Sequence, residues 1–135
     1  MPDHNDPDSQ DIARLAQRFF DAIEDGDIDT MRASFTPDAV IWHNSDERDT
    51  TVEQTAVVLT GMVARIKNRK YADRRLQIFE GGFVQQHVLT GNRLFDDGAV
   101  RLPCAIICQV KHGKITRLDE YFDSAHVAEF RKTSH

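Results

Sequence analysis

The sequence predicts an α+β domain in which three N-terminal helices pack on one face of a curved antiparallel sheet, followed by a short C-terminal helix. Apolar residues recur at helical spacing in the first part of the chain and alternate with a period of two from residue 71 onward. Short glycine-containing turns separate the alternating runs. A length of 135 residues with 40% hydrophobic content is typical of one domain with one core.

The acidic N-terminus predicts a solvated tail. The first eleven residues contain four Asp and no Lys or Arg, whereas a secretory signal begins with positive charge and an apolar run. We therefore expect residues 1–8 to form a disordered acidic tail, residues 9–135 to form a single domain, and the protein to be cytoplasmic. Four of the charges behind the formal net charge of −5 lie in residues 1–11, which leaves the rest of the chain close to neutral, so no basic face for nucleic acid is predicted.

The helical pattern of the first part divides into two helices. The first is expected to be capped by Asp8 or Ser9 and to end at Gly26. The second is expected from Ile28 to about Phe35, with Pro37 preventing its extension.

The remaining elements follow from capping residues and alternation. A first strand is predicted at residues 39–44, and Thr50 with Glu53 has the spacing of a capping box that begins a third helix. Four strands from residue 71 onward form an antiparallel meander, and Ser124 is expected to cap the final helix.

The two cysteines are predicted to be buried thiols. Cys104 and Cys108 lie four apart on one predicted strand, which places their Cα atoms about 13 Å apart at roughly 3.3 Å per residue. This distance excludes a disulfide between them. The stretch from Cys104 to Cys108 is also the longest uninterrupted apolar run and is far shorter than the roughly 20 residues of a membrane helix, so no membrane association is predicted.

Two segments resemble a known superfamily. RFFDAIEDGDIDTMRASFTPDAVIWHN and GKITRLDEYFDSA look like the corresponding parts of limonene epoxide hydrolases and ketosteroid isomerases. In this order and at this separation they indicate the nuclear-transport-factor-2-like, or SnoaL-like, superfamily over about residues 10–130. The resemblance implies a cone-shaped fold with a deep apolar cavity, commonly a homodimer, and often cofactor-free chemistry on hydrophobic ring compounds. Because the superfamily also contains proteins without catalysis, the fold alone does not define the function.

The resemblance also shows departures from both enzyme types. The oxyanion-binding Tyr of the isomerases corresponds to Phe19, their general-base Asp to His43, and their second acid lies near Ile106. These departures argue against an isomerase mechanism of that type. In the epoxide hydrolases, the last-strand Asp corresponds to Glu120, and the first-strand Asn matches Asn44 after a one-residue insertion.

The epoxide-opening pair of those hydrolases is also replaced. Their Arg-x-Asp pair falls on His87 and Leu89, so the acid that protonates the epoxide in the hydrolases has no counterpart at that place in the sequence.

Strand alternation indicates which side chains share a face. Leu118, Glu120 and Phe122 would point the same way, and the apolar neighbours favour a cavity position for Glu120. A carboxyl group in an apolar pocket suits general acid or base catalysis near neutral pH. The alternative is an ion pair at the sheet edge or at a dimer interface.

Two histidines are the other candidates. His43 and Asn44 end the first strand, and alternation leaves open whether His43 or the pair Trp42 and Asn44 lines the pocket. His87 follows two glutamines in mid-strand, which favours a polar position inside the cavity. A structural histidine satisfied by backbone groups is the alternative for each.

The sequence therefore predicts a cofactor-independent acid/base enzyme, whether lyase, dehydratase, isomerase or hydrolase. Its substrate would be a hydrophobic, oxygen-bearing ring compound such as a polyketide, terpenoid, steroid or aromatic. The alternative is a non-catalytic dimeric protein that binds such a small molecule. The predicted catalytic residues are His43, His87 and Glu120. The predicted ligand-binding residues are Phe19, Trp42, Asn44, Cys104, Ile106, Leu118 and Phe122.

Partners and cofactors complete the prediction. Two histidines and a glutamate from different strands could form a metal-binding triad, but no close-spaced ligand pair supports a metal. Phosphate-binding glycine loops and dinucleotide motifs are absent from the sequence, so no cofactor is expected. A homodimer through the sheet is expected because the outer face carries Val, Ile and Tyr side chains that require burial.

Overall fold

The computed structural model describes residues 6–133 and places four helices and a six-stranded sheet around one core. The helices are α1 (Pro7–Asp25), α2 (Ile28–Ala33), α3 (Val52–Arg65) and α4 (Ser124–Arg131). The strands are β1 (Phe35–His43), β2 (Arg48–Thr50), β3 (Ile66–Phe79), β4 (Gly82–Arg93), β5 (Ala99–Lys111) and β6 (Lys114–Phe122).

The sheet has the strand order β2-β1-β6-β5-β4-β3. Strands β3 to β6 form the predicted antiparallel meander. However, β1 pairs with β6 in parallel, so the sheet is mixed rather than wholly antiparallel. The physical reason is that α3 carries the chain to the far edge at β3, and the four strands of the meander then bring β6 back alongside β1 in the same direction.

Helix α1 begins earlier than expected and ends as expected. Asp6 is its N-cap and accepts a hydrogen bond from the Ser9 backbone N–H at 2.7 Å, so the helix includes residues that were assigned to the tail. Pro7 favours this start because its fixed φ suits the first helical position. Residues 1–5 of the predicted tail lie outside the described residues. Gly26 ends the helix with a left-handed φ of 76°.

The second helix is shorter than predicted. It ends at Ala33, and Phe35 is the first residue of β1 rather than the last of the helix. Burial explains the difference, because Phe35 is 3% exposed and packs edge-on against Phe19 of α1 with ring centroids 5.4 Å apart. Pro37 lies inside β1, where the pairing with β6 shifts register, a position that tolerates the missing N–H.

Two capping residues also differ from the prediction. The capping box of α3 uses Thr51 and Gln54, one residue beyond the predicted pair. Thr50 instead belongs to β2, a strand that alternation did not predict, and its hydroxyl donates to the Ile41 carbonyl oxygen at 2.9 Å. Helix α4 is capped by Asp123 rather than by Ser124.

The core lies between α1 and the inner face of the sheet. Phe20 of α1 is fully buried and makes edge-on ring contacts with Tyr71, Phe83 and His87 of β3 and β4. Both cysteines are free and buried in the same face of β5. Among residues 6–133, no helix has the length and apolar character needed to cross a membrane.

Candidate active site

A cavity of about 230 Å³ lies between the inner face of the sheet and helices α3 and α4. Most of its accessible wall is apolar, and it opens to solvent at a rim where Val58 is 57% exposed. Polar residues from the sheet, the turn after β1 and helices α3 and α4 also border it; they are His43, Ser45, Asp46, Thr50, Gln54, Thr55, Arg65, Tyr71, Glu120 and Arg131. The apolar lining consists of Val58, Leu59, Met62, Leu89, Leu102, Phe122, Val127 and Phe130.

His43 and Glu120 form an ion pair in the wall of this cavity. They are direct neighbours on the parallel strands β1 and β6, and Nε2 of His43 lies 3.0 Å from Oε1 of Glu120. The two side chains are 29% and 19% exposed, which leaves them reachable from the cavity but shielded from bulk water. This bond uses one carboxylate oxygen of Glu120. The Cys104 thiol is a second polar neighbour within hydrogen-bonding reach of the carboxylate, and the carboxylate keeps further lone pairs for a ligand.

The surroundings of His43 favour its charged form. Burial alone would lower the pKa of His43, but the hydrogen bond to Glu120 and the negative charges of Glu120 and Asp46 outweigh it and raise the pKa above the ordinary value. Arg131 opposes this rise. His43 therefore holds a proton that it can give to a bound molecule near neutral pH.

Tyr71 is a third polar residue in the cavity wall. Two irregularities in the β3–β4 pairing flank it, and the residues with left-handed φ there are Asn68 and Asp73, both at 57°. These residue types tolerate that conformation. The backbone N–H of Tyr71 donates to Glu24 of α1 at 2.7 Å, which ties this bulged segment to the helix.

The hydroxyl of Tyr71 remains a proton-bearing donor. Burial, followed by the negative charge of Glu120, raises the pKa of Tyr71 well above the ordinary value. The phenol therefore offers a hydrogen bond to a ligand oxygen at any physiological pH.

His87 and Cys104 lie behind the cavity wall rather than in it. The side-chain amide nitrogen of Gln85 lies 3.0 Å from Nδ1 of His87, and this bond assigns the ring proton to Nε2, which has no partner among the described residues. Burial lowers the pKa of His87 to about 4, the charge of Glu120 only partly opposing it. His87 is thus a neutral imidazole that supports the polar cluster.

The donor atoms of His87, Cys104 and Glu120 lie within 4.8 Å of one another. A metal could use these three atoms, because imidazole, thiolate and carboxylate are all zinc ligands. The thiol is poorly suited, however. Burial, followed by the charge of Glu120, strongly raises the pKa of Cys104, and its Sγ donates to the Leu102 carbonyl oxygen at 3.3 Å. The absence of a metal stays a prediction.

The structure brings only part of the predicted site together. His43, Glu120 and Phe122 line the cavity. The inner face of β1 therefore carries His43, whereas Trp42 lies on the outer face, where its ring packs against that of Tyr121 at a tilt of 58° with the centroids 5.3 Å apart.

Asn44 has a structural position. Its side-chain amide exchanges two 3.0 Å hydrogen bonds with the backbone of Phe122, which clamps the end of β6. The other predicted residues lie in the buried core and do not border the cavity; they are Phe19, Cys104, Ile106 and Leu118.

Sequence reasoning missed every polar residue of the cavity wall other than His43 and Glu120. Tyr71, Arg65 and Arg131 matter most for the site, and the others are Ser45, Asp46, Thr50, Gln54 and Thr55. Regular alternation hides the orientation of Tyr71, because the two bulges beside it shift the phase of the strand. The only sequence signal is the pair Asn68 and Asp73, which permit such bulges. The arginines lie at helix ends, where a basic residue has an ordinary structural explanation.

The comparisons with known proteins agree with this fold. The family model described as a SnoaL-like domain matches residues 16–118. A protein from Xanthomonas campestris, provisionally assigned as a polyketide cyclase, is similar with a TM-score of 0.79 and 20% identity, over 90% of this chain and 97% of that one. No curated protein matches the sequence significantly.

Two further solved structures share the fold. An LEH-like epoxide hydrolase from M. tuberculosis has a TM-score of 0.76 at 20% identity, over 92% of this chain and 91% of that one. A protein with a ketosteroid isomerase-like fold from Catenulispora acidiphila, in complex with trimethylamine, has a TM-score of 0.75 at 14% identity, over 89% and 97% of the two chains. At these identities the likeness concerns the fold alone.

Proposed function

Because the chain belongs to the SnoaL-like domain family, we propose that it is a cofactor-independent acid/base enzyme acting on a small, oxygen-bearing ring compound. The main support is the hydrogen-bonded pair of His43 and Glu120, whose Nε2 and Oε1 atoms are 3.0 Å apart, in the wall of a mostly apolar cavity. Such a pair places a base and an acid beside a substrate whose ring is held by dispersion and apolar burial. The related cyclases, hydrolases and isomerases support an enzyme of this kind.

Each polar residue has a defined part in the proposed reaction. The oxygen of Glu120 that is not bonded to His43 accepts a proton from a substrate carbon next to a carbonyl group. The Tyr71 hydroxyl donates a hydrogen bond to the carbonyl oxygen, which stabilises the negative charge that develops there. Protonated His43 then gives a proton to a neighbouring carbon or to a departing hydroxyl group, and Glu120 returns its proton to His43 or to solvent.

The geometry favours isomerisation or elimination over epoxide opening. His43 and Glu120 are hydrogen-bonded to each other, so acid and base approach the substrate from the same side. Water opens an epoxide from the face opposite the breaking C–O bond, which requires the acid and the water-activating base on opposite sides. A base and an acid on one side instead suit proton removal and return across one face of a ring.

The volume of the cavity limits the substrate. About 230 Å³ lies below the roughly 300–1,000 Å³ of sites for drug-sized ligands. This favours a compound with one or two rings and disfavours a steroid or a multi-ring polyketide. The apolar side chains of α3 and α4 would cover such a ring.

Binding without catalysis is the competing function. The apolar wall alone explains affinity for a small hydrophobic molecule, and this chain departs from the catalytic acids of the isomerases and epoxide hydrolases that its sequence resembles. The polar residues in the wall favour catalysis, because a simple binding pocket gains little from a titratable histidine paired with a carboxylate.

Solvent deuterium exchange tests the proposal without knowledge of the natural substrate. One-ring and two-ring ketones are incubated with the protein in D₂O, and loss of the α-proton signal is followed by NMR. We expect the wild type to accelerate exchange for at least one ring ketone, and Glu120→Gln to abolish the acceleration while ligand binding is retained.

Asp119→Asn is the matched control, because Asp119 is the adjacent carboxylate on the outer face of β6. It should exchange deuterium at the wild-type rate. Tight binding of ring compounds without any exchange or turnover, in the wild type as in Glu120→Gln, would replace the enzyme proposal with the binding function.

A further inference from the structure

Two cationic side chains line the same cavity and form no ion pair with any described residue, although the carboxylates of Glu120 and Asp46 border it as well. Arg65 ends α3 and Arg131 lies in the last turn of α4, and both border the cavity that contains Glu120. Within residues 6–133, neither guanidinium forms an ion pair with a carboxylate. Nε of Arg65 is buried and has no hydrogen-bond partner among those residues.

The other partly buried arginines of the protein have partners for their guanidinium groups. Arg74 contacts Asp21 and Glu24 of α1 at 2.9 and 2.7 Å, and Arg93 contacts Asp96 at 2.9 Å. Arg69 has no carboxylate partner among the described residues and its Nε is also buried without a partner, but its terminal nitrogens donate to the backbone oxygens of residues 24, 63 and 66.

A buried guanidinium nitrogen without a partner is costly unless a ligand completes it. This argument applies to Arg65, whose guanidinium has no partner among residues 6–133. Arg131 is exposed and adds a second positive charge, also without an ion pair in the described part of the chain, at the rim of the cavity.

Gly61 keeps space open for one of these arginines. A Cβ atom at this position would lie 2.9 Å from Nη1 of Arg65, one helical turn further along α3. Glycine in a helix interior is less stable than alanine, so the sequence gives up helix stability at a position where a methyl group would displace the guanidinium.

We propose that Arg65 and Arg131 form an anion subsite that binds a carboxylate of the substrate, so that the natural substrate is a small ring compound carrying a carboxylate group. This inference rests on the proposed function, since it concerns the same cavity. A guanidinium matches a carboxylate through paired N–H donors, and a pair shielded from water is stronger than an exposed one.

The charges also orient such a substrate. The carboxylates of Glu120 and Asp46, which border the cavity near His43, repel an anion, whereas the two arginines attract it. The substrate carboxylate would lie at the helix ends with its ring against the apolar wall, and the opposite side of the ring would face His43 and Glu120. Specificity and orientation thus come from helices α3 and α4, and the chemistry comes from the sheet.

Benzoate and benzamide provide matched probes, because they share a ring and shape and differ in charge. Isothermal titration calorimetry should give at least about tenfold tighter binding of benzoate to the wild type. Arg65→Gln and Arg131→Gln should each remove most of this preference and leave benzamide binding unchanged. Arg18→Gln, which changes an exposed arginine on α1 outside the cavity, should change neither affinity.

Gly61→Ala separates this role from a structural one. The added methyl group should keep or raise the melting temperature and should also weaken benzoate binding, because Arg65 must move. A purely structural glycine would not lower benzoate affinity while the fold stays stable. Arg65→Lys, which keeps the charge but loses the paired donors, should give an intermediate benzoate affinity.

Equal binding of benzoate and benzamide to the wild type would overturn the subsite, as would a benzoate preference that survives both Gln variants. Either result leaves the cavity and the acid/base proposal intact. Absence of binding by both probes, with deuterium exchange retained, also overturns the subsite. The deuterium-exchange experiment with Glu120→Gln tests the acid/base proposal, and the titrations with benzoate and benzamide test the anion subsite. The two proposals can therefore fail independently.

Discussion

The two faces of β6 carry adjacent carboxylates in different electrostatic settings. On the outer face Asp119 accepts bonds from Arg117 at 2.9 and 3.1 Å, with the two side chains 20% and 35% exposed. On the inner face Glu120 pairs with His43 at 3.0 Å at a similar exposure. The distances and burial are alike, so they do not distinguish the two pairs.

The difference lies in the partner and in what surrounds it. Arg117 is permanently charged and lies two residues away on the same strand, so its pair is local and fixed. His43 belongs to another strand, titrates near neutral pH and faces a cavity. A carboxylate is therefore suited to proton transfer when its partner is titratable and lies beside a ligand-sized cavity, as His43 does for Glu120.

The largest expected effect comes from replacing each of the two carboxylates, Glu120 and Asp119, by its amide. Glu120→Gln should lower the catalytic rate by about a hundredfold to ten-thousandfold, the usual contribution of a general acid or base. Asp119→Asn should leave the rate unchanged and reduce stability by about 1 kcal/mol or less, as for a partly exposed ion pair. Rates and melting temperatures of both variants check this prediction, and equal loss of rate would contradict it.

The second prediction concerns the buried histidine behind Glu120. Because the pKa of His87 falls to about 4 in the folded protein against 6.5 when unfolded, the unfolded state binds more protons between these values. Stability should therefore fall as the pH falls from about 6.5 to 4, by about 3 kcal/mol in total. His43 has a raised pKa, so its contribution has the opposite sign and is lost as the pH rises.

Denaturant unfolding at several pH values measures this effect. His87→Gln keeps a side-chain amide near Gln85 and removes the titration, so the stability loss in acid should become smaller. His112→Asn is the control, because His112 is an exposed turn residue with a left-handed φ of 53° that Asn accepts. An unchanged pH slope in His87→Gln would show that another group causes the acid sensitivity.

The sequence was sufficient for the fold where local rules and burial agree. The meander from β3 to β6 followed from alternation and glycine-containing turns, and the end of α1 followed from Gly26. Phe35 differed because burial against Phe19 outweighed its helical spacing. The parallel pairing of β1 with β6 could not be predicted from local patterns, since residues far apart in the chain form it.

The site was less predictable than the fold. Alternation on β6 placed Glu120 on an inner face, but nothing local indicated that His43 would be its direct neighbour. Tyr71 and Arg65 reach the cavity through bulges and a helix end, which depend on packing between distant elements. Its place directly before His43 in the sequence predicts that Trp42 binds the ligand, but its ring contacts Tyr121 on the outer face of the sheet.

The third prediction sharpens the role of the outer face. Ile107 is 38% exposed and Tyr121 is 46% exposed on this face, and we expect two copies of the chain to bury them in a symmetric dimer. Light scattering should report twice the 15.4 kDa chain mass. Ile107→Lys should shift the protein toward monomer, because burying the added charge in an apolar interface is unfavourable. The monomer should tolerate the lysine, because Asp119 lies opposite it on β6.

Val57→Lys is the control for the dimer prediction, since Val57 is 73% exposed on α3 and lies on the helical side. It should leave the molecular mass unchanged. A wild-type protein that stays monomeric at micromolar concentration would contradict the dimer.

The smallest expected effect is that of zinc on the melting temperature. It tests whether His87, Cys104 and Glu120 bind a metal or only exchange protons and hydrogen bonds. If zinc used His87, Cys104 and Glu120, ligand binding to the folded state alone would stabilise it by about 2.7 kcal/mol at one hundred times the dissociation constant. For a chain of this size that is a rise of several degrees in melting temperature. We expect no rise with added zinc and no fall after chelation, because the buried Cys104 thiol must lose its proton to bind. A zinc-dependent rise that disappears in His87→Gln would assign Glu120 to a metal site, and the contrast with Asp119 would then lie in metal binding rather than in a titratable partner.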